Sequence, residues 1–429
     1  MKLAFLLILL FSLRSFADGG LLDRQPVLNQ MTGNCYTHSA VDVLTGVHLK
    51  RSHKREVIQP HPLTLGGIVS EHIGRANISS GNTCAFFNEA KKARGEFCSV
   101  QAFNHFVSKV PGMTTRKLSD NVNTFDRALQ SLQRLFEKDG WSEEDAKTAV
   151  QNSRDIISSM CQLNGTINFD NPKFVQLIDD AREVITVLSP RNSPDLSVSG
   201  LSRRLIGEFA GLITEGVGPY LFRRVDTARS GIIRALEFDE SRRLALNKVL
   251  GEAYQDMNRR CVAHALKENL PRVPRDYFST SAQFRCDEEL FMSPLITGDQ
   301  VKPHLEFIER QIRAGYATPI SVCSAAFYGK YPKVKGYRQS NGHCHNGGGH
   351  AVTVTGVETR NGKKMFRIRN SWGTDSCRTL EAGRRKCAES GESGCPTNSA
   401  LDCENGVYFM SEDFLSKTMY GFGRLMMTR

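Results

Sequence analysis

PVLNQMTGNCYTHSAV, residues 26–41, is the stretch on which the reading of this chain turns. Pro26 holds Gln25 out of the helical region, so the segment from 18 to about 33 reads as extended and turn-punctuated. From Cys35 the run CYTHSAVDVLTGVHLKR places apolar side chains at Val41, Val43, Leu44, Val47 and Leu49. That pattern predicts a largely buried helix with Cys35 in its first turn. Unpaired N–H groups and a partial positive charge gather at such a helix start, and both favour thiolate over thiol.

Far downstream, GGGHAVTVTGV (347–357) and KMFRIRNSW (364–372) alternate apolar and polar residues as antiparallel strands do, as do PISVC (319–323) and GVYFM (406–410). His350 and Asn370 lie on two of these runs, at a spacing compatible with a hairpin of adjacent strands. A cysteine opening a helix, a histidine on a strand and then an asparagine form the set that thiolate acyl transfer needs. The histidine takes the thiol proton and returns it to the leaving amine, while the asparagine orients the imidazole.

The segment around Cys35 resembles the nucleophile segment of the papain and cathepsin family of cysteine peptidases. GGGHAVTVTGV is similar to that family's histidine strand, and IRNSWG (368–373) to its asparagine motif. The resemblance implies an α+β, papain-like two-lobed fold, with a helical left lobe and an antiparallel β-barrel-like right lobe. It implies Cys35, His350 and Asn370 as the catalytic group, Gln30 as side-chain donor to the oxyanion hole beside the Cys35 N–H, and Trp372 as a cover over the His350–Asn370 bond. SGNTCAFFNEAKKARG (80–95) is similar to one wall of the family's substrate cleft, which maps cleft contacts to Gly81 and Asn82. No cofactor is implied, and the partners are protein or peptide substrates.

The chain also departs from the family. Thr32-Gly33-Asn34-Cys35-Tyr36 stands where the family has Cys-Gly-Ser-Cys-Trp, and is one residue shorter from Gln30. His38 replaces an aromatic and reads as a packing residue rather than a rival base. His350 follows Cys35 by 315 positions instead of the ~130–150 usual in the family. The excess falls where long 3.6-period segments run, at 121–136, 143–160, 174–188, 201–213 and 241–266. The expected organisation is therefore a left lobe over 18–112, a helical insertion over 113–275 and a right lobe over 276–429, after a leader over 1–17. Little room remains for a propeptide between Ala17 and Pro26.

Lys2, the apolar run Leu3 to Phe11 and the small residues of Ser15-Phe16-Ala17 predict a signal peptide cleaved after Ala17, giving a secreted or periplasmic protein. The run is too short for the ~20 residues that span a bilayer, so no transmembrane anchor is expected. Export places twelve cysteines in an oxidising compartment. With Cys35 reserved for chemistry, eleven remain, allowing at most five bridges and one further unpaired thiol or an intermolecular bond. Cys377, Cys387, Cys395 and Cys403 match no finger spacing, and the run His343-Cys344-His345 is poorly placed to converge on one ion; disulfides are expected at both places and no metal.

The net charge of +11 would attract polyanions or cell wall, but the basic residues are dispersed, which argues against a specific nucleic-acid site. The function expected is an exported endopeptidase. Two alternatives stand beside it: a catalytically weak binding module on the same scaffold, motivated by the altered nucleophile loop, and a cell-wall peptide amidase or transpeptidase, motivated by the charge.

Overall fold

The computed structural model describes residues 22, 24–30, 34–72, 81–136, 142–163, 166–167, isolated positions between 172 and 185, 240–291, 298–329, 344, 348–390 and 395–428. The leader and the helical segments expected over 174–188 and 201–213 lie outside these residues, apart from the isolated positions. The chain divides into two compact units, one of Met1–Ile73, Ile78–Phe106 and Asn258–Arg429, the other of Gly74–Asn77 and Val107–Met257.

In the first unit, α1 (Cys35–Ser52) begins on Cys35 itself. It is buried all round, from Tyr36 to Leu49, which is why its sequence carries apolar and small residues on every face rather than one stripe. Each of its fully buried Val and Leu side chains contributes roughly 1.5–3 kcal/mol. α2 (Pro62–His72) follows, with Pro62 at the first helical position, where its missing N–H is no loss. Gly66-Gly67 lies within it. The helix runs through them because it lies against α1: a Cβ at Gly66 would come within 3.2 Å of the Thr37 methyl. α3 (Thr83–Ala90) is capped by Asn82, whose side chain accepts from the Ala85 N–H at 2.8 Å, and α4 (Val100–Ser108) completes this stretch.

In the second unit, α5 (Thr115–Phe136) packs along α6 (Glu143–Leu163). The buried positions Leu118, Val122, Phe125, Leu129 and Leu132 step by four and three residues, the spacing of one helix face. α7 (Glu240–Lys267) leads back into the first unit.

The remainder is built on one sheet. Its strands are β1 (Phe284–Leu290), β2 (Thr318–Cys323), β3 (Gly349–Arg360), β4 (Lys363–Arg369), β5 (Leu401–Glu404), β6 (Val407–Ser411) and β7 (Met419–Met427). Their order is β1-β7-β2-β3-β4-β6-β5, with every neighbouring pair antiparallel. Helix and antiparallel sheet together make the α+β class. β3 and β4 form the expected hairpin, turning through Asn361 and Gly362 at φ 51° and 75°, the pair of positive φ values that an Asn-Gly two-residue turn supplies.

α1 lies on one face of the sheet, where Ser39 Oγ and Thr353 Oγ1 are 2.9 Å apart. α8 (Gly298–Arg313) joins the core on the other face through Val301, Leu305 and Ile308 with Ile320, Val352 and Val354. α8 has Pro303 within it, in its second turn. α9 (Ser376–Glu389) carries Cys377 and Cys387, and α10 (Glu412–Thr418) precedes β7.

The disulfides pair Cys84 with Cys286, Cys98 with Cys261, Cys323 with Cys344, Cys377 with Cys403 and Cys387 with Cys395. Five bridges leave Cys35 and Cys161 as thiols, and Cys344 and the four cysteines of the α9 region are half-cystines, as expected.

Candidate active site

α1 and β3 meet at Cys35. The Ala351 N–H donates to Cys35 Sγ at 3.4 Å, and the residue before it in β3 is His350. β4, paired with β3, ends at Arg369, so Asn370 follows directly at the end of the hairpin. Its Oδ1 lies 2.8 Å from His350 Nε2 and also accepts from the Ser371 N–H at 2.7 Å. Two bonds on one oxygen fix the amide. Nε2–H to Asn370 leaves Nδ1 as the proton-accepting nitrogen of the neutral ring.

Aromatic side chains enclose this bond. The Trp372 ring centroid is 4.6 Å from that of His350, and Phe327 stands edge-on to both, at 5.4 Å from His350 and 5.6 Å from Trp372. His350 and Asn370 are buried. Phe327 was not singled out in the sequence, because it lies in the short 3₁₀ segment Ser324–Tyr328 and only the fold carries it to the histidine.

Burial acts on both titrating groups. It pushes the Cys35 thiol up, against the pull of the Ala351, Tyr36 and Cys35 N–H groups, and it pushes His350 down to about 4, against the bond to Asn370. Each is biased toward its neutral form. Moving the proton from thiol to imidazole creates two opposite charges, whose attraction offsets part of that bias. Burial also pushes His38 down, to about 3, with the charge of His350 adding to the effect. His38 is thereby biased toward its neutral form.

Gln30 approaches from the N-terminal segment. That segment runs antiparallel to 371–373: Gln30 N–H donates to Ser371 O at 2.6 Å, Asn29 bridges Trp372, and Gly373 N–H donates to Leu28 O at 3.2 Å. Ser371 Oγ donates to Gln30 Oε1 at 2.5 Å. With the amide oxygen engaged, the Nε2 end is the one turned to donate. Ser371 stands inside the quoted IRNSWG motif, and only the antiparallel pairing gives it this task.

Gly81 lies against the neighbour of Cys35. A Cβ there would fall 2.4 Å from the Tyr36 ring, so glycine is what lets this segment close on the start of α1. Asn82 uses its side-chain oxygen as the α3 cap.

The family model described as papain family cysteine protease matches residues 275–390. Over those residues the chain is that of a papain-like cysteine peptidase. The match takes in His350 on β3 and Asn370 just after β4, and begins after Cys35, which the fold brings to β3. No curated protein matches the chain.

Proposed function

We propose that this peptidase is an exported endopeptidase in which Cys35 is the nucleophile, His350 the general base and acid, Asn370 the residue that orients His350, and Gln30 with the Cys35 N–H the oxyanion hole. The observation that carries the reading is the 2.8 Å bond between His350 Nε2 and Asn370 Oδ1 on the residue next to Ala351, whose N–H reaches Cys35 Sγ.

In this mechanism His350 Nδ1 takes the thiol proton as sulfur attacks the carbonyl carbon. The new C–S bond pushes charge onto the carbonyl oxygen, which Gln30 Nε2–H and the backbone N–H receive. The imidazolium then protonates the amine as the C–N bond breaks. Water, deprotonated by His350, hydrolyses the thioester and returns the free thiol. Trp372 and Phe327 keep water from the His350–Asn370 bond. Gly81, and the backbone of Asn82, line the cleft that receives the peptide.

The fold in this reading is papain-like and two-lobed, with the helical region over about 113–275 as an insertion. Five disulfides support residence in an oxidising compartment, and the N-terminal composition supports cleavage after Ala17. Among the described residues no helix is long and apolar enough to cross a membrane. The net charge of +11 motivates a second reading, cell-wall peptides as the acyl donors, with contact to wall polymers.

A cleavage profile on a mixed peptide library, run beside Cys35→Ala, tests the first reading. Internal cleavage lost in the variant supports it. Release of soluble peptides from purified cell wall without cleavage of protein substrates would favour the second.

A further inference from the structure

Arg369 ends β4, one residue before Asn370, and only 5% of it is exposed. Its guanidinium donates in four directions: Nε to Asp42 Oδ2 at 3.3 Å, Nη1 to Leu22 O at 3.1 Å and Gln25 O at 3.0 Å, and Nη2 to Pro26 O at 2.7 Å. Asp42 belongs to α1, two turns from Cys35. The three carbonyls belong to the segment that leads to Gln30. One planar group therefore ties together the helix that begins at Cys35, the strand end that precedes Asn370, and the segment that delivers Gln30. Lysine, with one nitrogen and no fork, could not span these acceptors.

The fold alone asks less of this position. Leu22 is already held in the core around α1, and Val27 packs against Met365, Val407 and Phe409. Residues 28–30 are held by 371–373. What Arg369 adds is the path of 22–26, and with it the angle at which the segment arrives at Gln30.

We propose that Arg369 is a positioning residue for the oxyanion side of the site: clamped by Asp42, it fixes the segment that aims the Gln30 amide, without touching substrate. The inference rests on the roles given above to Cys35 and Gln30.

Carbamidomethylation of Cys35 by iodoacetamide, with iodide as the leaving group, needs the thiolate but no oxyanion hole, whereas amide hydrolysis needs both. In Arg369→Lys, kcat for a peptide amide is expected to fall by about 10- to 100-fold, less than loss of an oxyanion donor itself gives. KM and the alkylation rate should stay near wild type. In a Gln30→Ala background the same change should cost little more, because the group being aimed is gone. Asp42→Asn, nearly isosteric, is expected to give a smaller loss of the same kind, and it decides the matter should Arg369→Lys not fold.

Equal losses in hydrolysis and alkylation, full multiplication with Gln30→Ala, or unchanged kcat in the folded variants would overturn the proposal. The outcomes separate cleanly. Hydrolysis that survives Cys35→Ala removes the underlying reading, while hydrolysis that depends on Cys35 and Gln30 but ignores Arg369 and Asp42 removes only this inference.

Discussion

The Asn370 side-chain oxygen accepts from both His350 Nε2 and the Ser371 N–H, so the amide that orients the histidine is itself held by the backbone of the next residue. Asn370→Ala keeps the strand but frees the ring. The bond to Asn370 is what opposes the burial that depresses His350, so its removal should push the imidazole lower still. Steady-state kinetics on the folded variant should show kcat down by roughly 10²-fold, with the acid limb of the pH profile moved downward. An unchanged limb would detach Asn370 from His350.

Gln30→Ala should reduce kcat by about 10²–10³-fold, the usual cost of one oxyanion donor, with little change in KM. Ser371→Ala releases the Gln30 oxygen bonded at 2.5 Å and should cost less. In the double variant the loss should equal that of Gln30→Ala alone. A double-mutant cycle checks this, and simple multiplication of the two effects would show that Ser371 acts elsewhere.

The pH dependence of kcat/KM should be bell-shaped and broad. Burial sets His350 at about 4 and raises the Cys35 thiol, so activity should appear as pH rises through about 4 and decline only above the ordinary thiol range. The two limbs belong to the coupled pair rather than to either residue alone. An acid limb near 6.5 would contradict the buried setting.

Stability should follow the buried imidazoles. His38 and His350 are depressed to about 3 and 4, and His61 also lies well below its ordinary value, mainly through burial. Above about pH 6.5 these groups are neutral in both folded and unfolded chains. As pH falls from there toward the folded values, the unfolded chain binds more protons and stability is lost, on the order of several kcal/mol in all. Chemical denaturation at stepped pH should show that decline ending near pH 3, and a flat profile between 6.5 and 4 would refute it.

Gly81→Ala forces a methyl into the Tyr36 ring, at 2.4 Å, and overpacking of this kind costs about 1–3 kcal/mol. Because Tyr36 follows Cys35, activity should fall together with the thermal midpoint. Gly81→Ala combined with Tyr36→Leu should recover part of both. No recovery would place the strain outside this contact.

The reacting residues were legible because their motifs are local: a helix start after a turn-rich run, and two alternating strands joined by Asn-Gly. What stayed hidden depends on partners distant in the chain. β1 is an edge strand written FRCDEEL, and charges that keep an edge from pairing with other chains also erase its apolar alternation. α9 contains Gly383, where a Cβ would strike the Tyr328 carbonyl. Its glycine marks close packing, a contact that sequence alone does not show. Asp42 carries a charge within a buried helix, and its counter-charge is Arg369, 327 positions away. The disulfide between Cys84 and Cys286, 202 residues apart, follows from the same long-range folding.

The most direct test of the central claim is the rate of peptide hydrolysis by Cys35→Ala beside the wild-type protein under identical reducing conditions. The account predicts that cleavage falls to background in the variant while its thermal midpoint and disulfides are retained. Hydrolysis at the wild-type rate by a folded Cys35→Ala protein would contradict it.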